Sequence, residues 1–268
     1  MSRSFILTSA CLVCGMSLLG GCQSSRSASQ KDWAIVIHGG AGAISRDAPQ
    51  ERRLAYETSL RAVLQSGADS LNSGASALDV VEEILRLLED DPLFNAGRGA
   101  VFTADGTHEL DASIMLGSTQ ACGAVTGIRT VRHPITLARK VMEESPHVFM
   151  MGDGAEAFAD TMDVQRVDPT FFDTEHRRRS LERYLQQNSQ NTPTPFGGAE
   201  IYSTVGAVAL DRSGVIAAAT STGGMTGKRW GRIGDSPVIG AGTWADARCG
   251  LSLPVWGERY IRHGFARA

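Results

Sequence analysis

Two apolar runs, residues 204–210 (TVGAVAL) and 215–220 (VIAAAT), are separated only by Asp211-Arg212-Ser213-Gly214. A turn-forming tetrapeptide between two such runs reads as a β-hairpin. The runs look buried, so the hairpin needs cover from other layers. The rest of the chain supplies candidates. Residues 33–37 form a short strand running into His38-Gly39-Gly40-Ala41-Gly42, and residues 123–129 and 148–151 read as further strands. Residues 47–65 form a helix candidate, with Leu54, Leu60, Val63 and Leu64 near helical spacing and Gly67 as its stop. Residues 76–89 make the clearest helix. Ser76 and Asp79 resemble a capping box, and Leu78, Val81, Ile84, Leu85 and Leu88 share one face. Residues 134–143 form a helix with Pro134 in its first turn, and residues 154–160 a short one. Asp105-Gly106 reads as a hairpin turn between residues 100–103 and 108–116. Strands on either side of helices imply an α/β class built as a layered sandwich.

Composition fits. The 268 residues are 42% hydrophobic and 21% charged, which suits one large or two small globular domains and is too apolar for a disordered chain. A net charge of −3 and a pI near 6.1 argue against a nucleic-acid partner. Beyond the N-terminus no uncharged stretch reaches the roughly 18 residues of a membrane span.

Residues 1–21 read as an export signal. Arg3 supplies the positive charge, and the apolar stretch 5–19 is short for a membrane helix. Leu19-Gly20-Gly21-Cys22 looks like a lipobox, which makes Cys22 the lipidated mature N-terminus. Residues 22–32 then form a polar, Ser-containing tether, and residues 33–268 the folded domain. The expected location is the bacterial periplasm, with membrane contact only through the lipid anchor. The five cysteines are Cys11, Cys14, Cys22, Cys122 and Cys249. Cys11 and Cys14 fall inside the signal. Cys122 and Cys249 have the choice of one disulfide or a role as small buried apolar residues. Residues 173–203 are charged and then rich in Gln, Asn, Thr and Pro, which suggests a mobile surface linker.

Taken alone, the polar motifs are weak. HGGAG lacks the spacings of phosphate-binding loops. His38 has no second His or carboxylate at ligand spacing, so it reads as a hydrogen-bonded turn histidine. Taken together they are specific. HGGAG at 38–42, LFNAGRGAVFTADGTHELDASIM at 93–115, SPHVFMMGDGAEAFA at 145–159, TVGAVALD at 204–211 and TSTGGMTGKRWGRIGDSPVIGAGTWAD at 220–246 occur in order. The series resembles the plant-type L-asparaginase/isoaspartyl peptidase family.

The resemblance implies an N-terminal nucleophile hydrolase with a four-layer α-β-β-α sandwich. It also implies a precursor that cuts itself between Ser203 and Thr204, leaving an α chain to 203 and a β chain from 204. The chemistry suits these residues. A threonine hydroxyl is a poor nucleophile until a base takes its proton. The cut creates that base on the same residue, an α-amine of pKa roughly 7.7–8.0. Thr222 matches a second threonine that tunes the nucleophile, and Asn95 an asparagine near the cut. Arg232 and Asp235 match the pair that grips the substrate's α-carboxylate and α-ammonium, and Gly257 a glycine lining the site. Leu88, Glu89, Asp91, Phe94, Ala96 and Arg98 match a loop whose backbone carbonyls hold a structural sodium; no cofactor is implied for the chemistry. The implied substrates are β-aspartyl dipeptides and L-asparagine, and the implied assembly is a dimer of cleaved αβ units.

Two departures stand against the family pattern. Residues 251–256 (LSLPVW) replace a stretch carrying a site-lining threonine, and Pro254, Val255 and Trp256 stand nearest its place. Proline has no N–H, and loss of one oxyanion donor costs about 2.7–4 kcal/mol of barrier in a protease. The chain also stops at Ala268, where the resemblance implies further helix and strands, so a C-terminally truncated sandwich is expected. Two alternatives follow: a catalytically impaired lipoprotein that keeps the fold, and a glycosylasparaginase-like amidohydrolase.

Overall fold

The structure is a computed structural model that describes residues 32–40, 48–189, 204–254 and 257–268, all within the unit Asp32–Ala268. Six strands make the main sheet: β1 (Ala34–His38), β2 (Leu110–Leu116), β3 (Cys122–Ile128), β4 (Phe149–Met151), β5 (Val205–Leu210) and β6 (Ile216–Thr222). Their spatial order is β1-β5-β6-β2-β3-β4, antiparallel except for the β3–β4 pair. The 204–220 hairpin therefore forms and sits between strands from the N-terminal part of the chain. A second sheet, β7 (Thr243–Ala245) with β8 (Gly250–Ser252), covers one face of β2, β5 and β6.

Alternation along the hairpin explains why it reads as buried on both faces. Val205, Ala207 and Ala209 of β5, with Ala217 and Ala219 of β6, join the main helix-side core. Val208, Ile216 and Ala218 pack with Met115, Ala245 and Trp244 under the second sheet. By the same period of two, Thr204, Gly206, Thr220 and Thr222 belong to the inter-sheet face.

Helices α1 (Gln50–Asn72), α2 (Ala77–Asp90) and α3 (Pro134–Glu144) lie on the other face, and α4 (Gly152–Asp160) packs by β3 and β4. In α2 the Ser76 hydroxyl accepts from Asp79 N at 3.2 Å, and its own proton goes to the Asp79 carboxylate at 2.7 Å. Such a cap contributes about 1 kcal/mol. Leu78, Val81, Ile84, Leu85 and Leu88 are all buried, as the pattern predicts.

Gly67 is not a helix stop. It lies inside α1, where an added Cβ would meet Ile35 Cδ1 at 2.6 Å and Ile84 Cδ1 at 2.8 Å. It is a close-approach glycine, and the helix ends at Ser73 followed by Gly74 at φ +93°. The Asp105-Gly106 turn closes, with Thr103 N donating to Thr107 O at 2.7 Å. The run before it forms no strand, because β2 spends both edges on β3 and β6; Thr103 makes only an isolated bridge to Lys228.

The reading of 173–203 as an unpacked linker also changes. Its first half is helix α5 (Glu175–Ser189). Arg177 and Leu181 are buried, Arg177 Nε donates to Gly99 O at 2.7 Å, and Tyr184 lies against Gly227. Residues 190–203 lie outside the described residues. Cys122 is half-buried and Cys249 exposed, and both are free thiols.

The last helix, α6 (Gly257–His263), leads into a turn where Arg267 stacks over Trp244 of β7 at 5.2 Å. Helices on one face of the main sheet and the small second sheet on the other are consistent with the expected α-β-β-α sandwich. The 1–31 segment, with Cys22, lies outside the described residues, as do Ser203, Val255 and Trp256.

Candidate active site

Thr204 stands at the entrance to β5 and Thr222 at the end of β6. The register pairs Val205 with Ser221, which brings the two threonines side by side. Thr204 Oγ1 donates to Thr222 Oγ1 at 3.2 Å, and both residues are buried. Thr222 Oγ1 also accepts from Gly224 N at 3.0 Å.

Asn95 locks the turn that follows. Its amide donates to Gly224 O at 2.8 Å, its carbonyl oxygen accepts from Val101 N at 2.9 Å, and its backbone carbonyl accepts from Gly223 N at 3.0 Å. Thr204, Thr222 and Asn95 therefore form one constellation. From the helix side, the buried Glu89 carboxylate accepts from Ser221 Oγ at 2.6 Å and Ile135 N at 3.1 Å. Burial pushes the Glu89 pKa up, against the opposing hydrogen bonds.

Arg232, Asp235 and Gly257 converge at the far end of the same loop. A Cβ on Gly257 would lie 2.8 Å from Asp235 Oδ1 and 3.1 Å from Arg232 Nη2, so only glycine fits between them. Arg232 and Asp235 are not ion-paired to each other. The guanidinium instead bonds Glu258 Oε1 through Nε at 3.0 Å and Nη2 at 2.9 Å. Asp235 is buried and its Oδ2 has no hydrogen-bond partner. Desolvation lifts its carboxyl to about 7; its own backbone N–H and Arg232 oppose the rise, and Glu258 adds to it. An unpartnered buried carboxyl beside a guanidinium is costly unless something binds there.

The clamp is tied to the threonines through backbone. Gly242 packs against the Asp235 carbonyl, and Gly242 O accepts from Thr220 Oγ1 at 3.3 Å. Lys228, in mid-loop, is buried and donates to Glu109 O at 2.7 Å.

The side chains of the 88–98 loop are engaged within the protein, and Asp91 O already accepts from Phe94 N at 3.2 Å. Leu88 is in the core, Asp91 accepts from Ser59 at 2.5 Å and from Leu93 N at 2.9 Å, and Phe94 meets the Tyr56 ring edge-on. Arg98 lies over Phe171. Ala96 is buried, and its carbonyl accepts from Gly99 N at 3.2 Å. A Cβ on Gly97 would fall 2.2 Å from Glu89 O, and one on Gly99 2.0 Å from Phe94 O.

Glu258 and Ser252 border the site and were missed by motif reading; His38 is hydrogen-bonded, as read from the sequence, to Thr204 O and Ser252. Glu258 was visible as the acid after Gly257. His38 and Ser252 pair across 214 residues of sequence, which no local pattern reports.

A sequence profile of the asparaginase family matches residues 31–268. The isoaspartyl peptidase of Escherichia coli is 50% identical over 233 residues, covering 85% of this chain and 73% of its own. A probable isoaspartyl peptidase/L-asparaginase 2 of Arabidopsis thaliana is 44% identical over 256 residues, covering 88% and 78%. A plant-type L-asparaginase of Pyrococcus abyssi is 44% identical over 243 residues, covering 87% and 77%. With its ordered motifs, its paired threonines and this extent of identity, the chain belongs to the asparaginase family.

Proposed function

We propose that the protein is a self-cleaving threonine hydrolase acting on β-aspartyl dipeptides and L-asparagine. The observation that carries the reading is the buried, unpartnered Asp235 carboxyl beside Arg232, on the loop that begins at the Thr204–Thr222 pair. A substrate α-ammonium satisfies Asp235, and its α-carboxylate meets the guanidinium edge that Glu258 leaves open. The β-carbonyl then points to Thr204. The names of the relatives support this substrate class over a glycosylasparaginase-like or degraded protein.

In the proposed reaction the bond between Ser203 and Thr204 is cut first, freeing the Thr204 α-amine. Thr204 Oγ1 attacks the β-carbonyl carbon while that amine takes the hydroxyl proton. The proton passes to the leaving nitrogen, which departs as ammonia or as the amine of the second residue. Water then attacks the aspartyl ester, releasing aspartate and restoring the hydroxyl. Thr222 supports Thr204 Oγ1, and Asn95 holds the turn behind them.

Backbone carbonyls of Leu88, Glu89, Asp91, Phe94, Ala96 and Arg98 would hold a structural sodium. Dimerisation of cleaved αβ units, and export as a periplasmic lipoprotein anchored at Cys22, belong to the same proposal. They rest on the resemblance and on the N-terminal sequence.

The test is a denaturing gel and intact mass of the purified chain, with aspartate release from L-asparagine. The wild type yields a fragment beginning at Thr204 and turns over. Thr204→Ala stays whole and inactive; unchanged hydrolysis in that variant overturns the mechanism.

A further inference from the structure

Five side chains outside the proposed machinery form one continuous run of hydrogen bonds ending on the nucleophile's own backbone. Ser113 of β2 donates to Thr243 of β7 at 2.7 Å, and Thr243 to Thr220 of β6 at 2.5 Å. Thr220 meets Ser252 of β8 at 2.7 Å, Ser252 meets His38 Nε2 at 2.8 Å, and His38 Nδ1 meets Thr204 O at 3.0 Å.

The proton positions follow from bonding logic. A carbonyl oxygen only accepts, so Nδ1 carries the proton. Desolvation holds the imidazole down at about 4, opposed by its two bonds, so the ring is neutral near pH 7 and Nε2 is a bare acceptor. Ser252 must therefore donate to His38, and it accepts from Thr220. Thr220 in turn accepts from Thr243. Ser113 has one proton to share between Thr243 and Ser236 O, the latter at 2.6 Å. Thr243 and Thr220 each have a second acceptor, Ser236 O at 3.4 Å and Gly242 O at 3.3 Å, and in both cases the bond along the run is the shorter one. From Thr243 onward the shorter bonds therefore point toward Thr204, and aligned hydroxyls polarise one another.

The backbone is shaped for this run. His38, Gly206 and Thr220 occupy one rung across β1, β5 and β6. A Cβ on Gly206 would stand 1.8 Å from Ser252 Oγ and 2.3 Å from His38 Nε2. The missing side chain at position 206 is the space in which the second sheet's serine reaches the histidine of β1.

We propose that His38 is a positioning residue for the nucleophile: its Nδ1–H, fixed by the one-way hydroxyl run through Ser252, holds the Thr204 carbonyl and so aims Thr204 Oγ1. The need arises at maturation. An uncut Thr204 is held by chain on both sides. Once cut, it is the free end of β5, and the carbonyl side is its remaining backbone anchor. The proposal rests on Thr204 being the nucleophile.

Asparagine and glutamine separate the two ring nitrogens. Asn places its amide where Nδ1 stands and keeps the donor to Thr204 O. Gln places its amide near Nε2, keeps the Ser252 contact and loses that donor. With the cut fraction measured for each enzyme, His38→Gln lowers kcat for L-asparagine by about tenfold or more. Its KM stays within about twofold, because the Arg232–Asp235 clamp is untouched. His38→Asn stays within about threefold of wild-type kcat. Equal losses in both variants, or a fall confined to KM, overturn the proposal.

A spectroscopic measurement covers the case in which neither variant matures. In wild-type protein with isotope-labelled histidine, the His38 ring nitrogen shifts show the Nδ1–H form. Ser252→Ala, which leaves the ring in place, weakens that preference. A wild-type Nε2–H form overturns the proposal. A wild type that cuts neither L-asparagine nor β-aspartyl dipeptides overturns the proposed function instead, and the two failures are distinct.

Discussion

Asp235 combines a cost in the free protein with a use in the proposed complex. Its raised pKa of about 7 means that the empty site prefers the neutral acid, while an α-ammonium substrate prefers the carboxylate. Binding below neutrality therefore releases a proton. KM for L-asparagine should fall as pH rises between about 5 and 8, levelling once Asp235 is ionised. Asp235→Asn should show a high KM with no such slope, measured against the wild-type profile. The stability sign is opposite. A carboxyl whose folded pKa is raised favours the fold below the ordinary carboxylate range, and that contribution is lost as pH passes about 7. Asp235→Asn should therefore melt higher than wild type in alkaline buffer while binding worse. At this scale, the residues of the candidate site could be picked out in advance. Thr204, Thr222, Asn95, Arg232 and Asp235 each fall within a motif. The partners that hold them are harder to see: His38 opens a motif, but its link to Thr204 and Ser252 is not in it. Glu258 reaches Arg232 from 26 residues away, and Ser252 reaches His38 from the other end of the chain.

Among the elements, α2 could be read because two sequence signals agree, a cap and an apolar face, and that face is the one buried. Helix α5 was hidden for the opposite reason. Its sequence, EHRRRSLERYLQQNS, has a strongly polar surface, and it packs through a spaced triplet, Arg177, Leu181 and Tyr184. An arginine that buries its stem and bonds a carbonyl looks, in sequence, like one facing water. The consequence can be measured. Arg177→Ala removes a buried charge-assisted bond to Gly99 O, and the loss should be about 2 kcal/mol in a denaturant titration. A segment that merely hangs from the surface would change stability by less than about 0.5 kcal/mol. Gly67 carries a related lesson. The same residue type that ends helices also lets them approach a strand, and only the position of Ile35 and Ile84 distinguishes the two uses.

For the molecule as a whole, the strand order β1-β5-β6-β2-β3-β4 decides what the proposed cut does. The β5–β6 hairpin belongs to the fragment from Thr204 onward, while its neighbours β1 and β2 belong to the other. Cutting leaves every ladder hydrogen bond in place, so the two pieces stay one body. Unfolding is different, because it yields two chains that must find each other again. Refolding yield of the cut protein should fall on dilution, whereas uncut Thr204→Ala should refold independently of concentration, as followed by far-ultraviolet circular dichroism. The flanked hairpin also has a genetic consequence. A fragment gripped on both sides by its sister cannot be swapped for one from another molecule. In a cell with two alleles, one damaged before the cut and one after it, each protein keeps the halves it was translated with. Mixing the two mature populations therefore restores no activity.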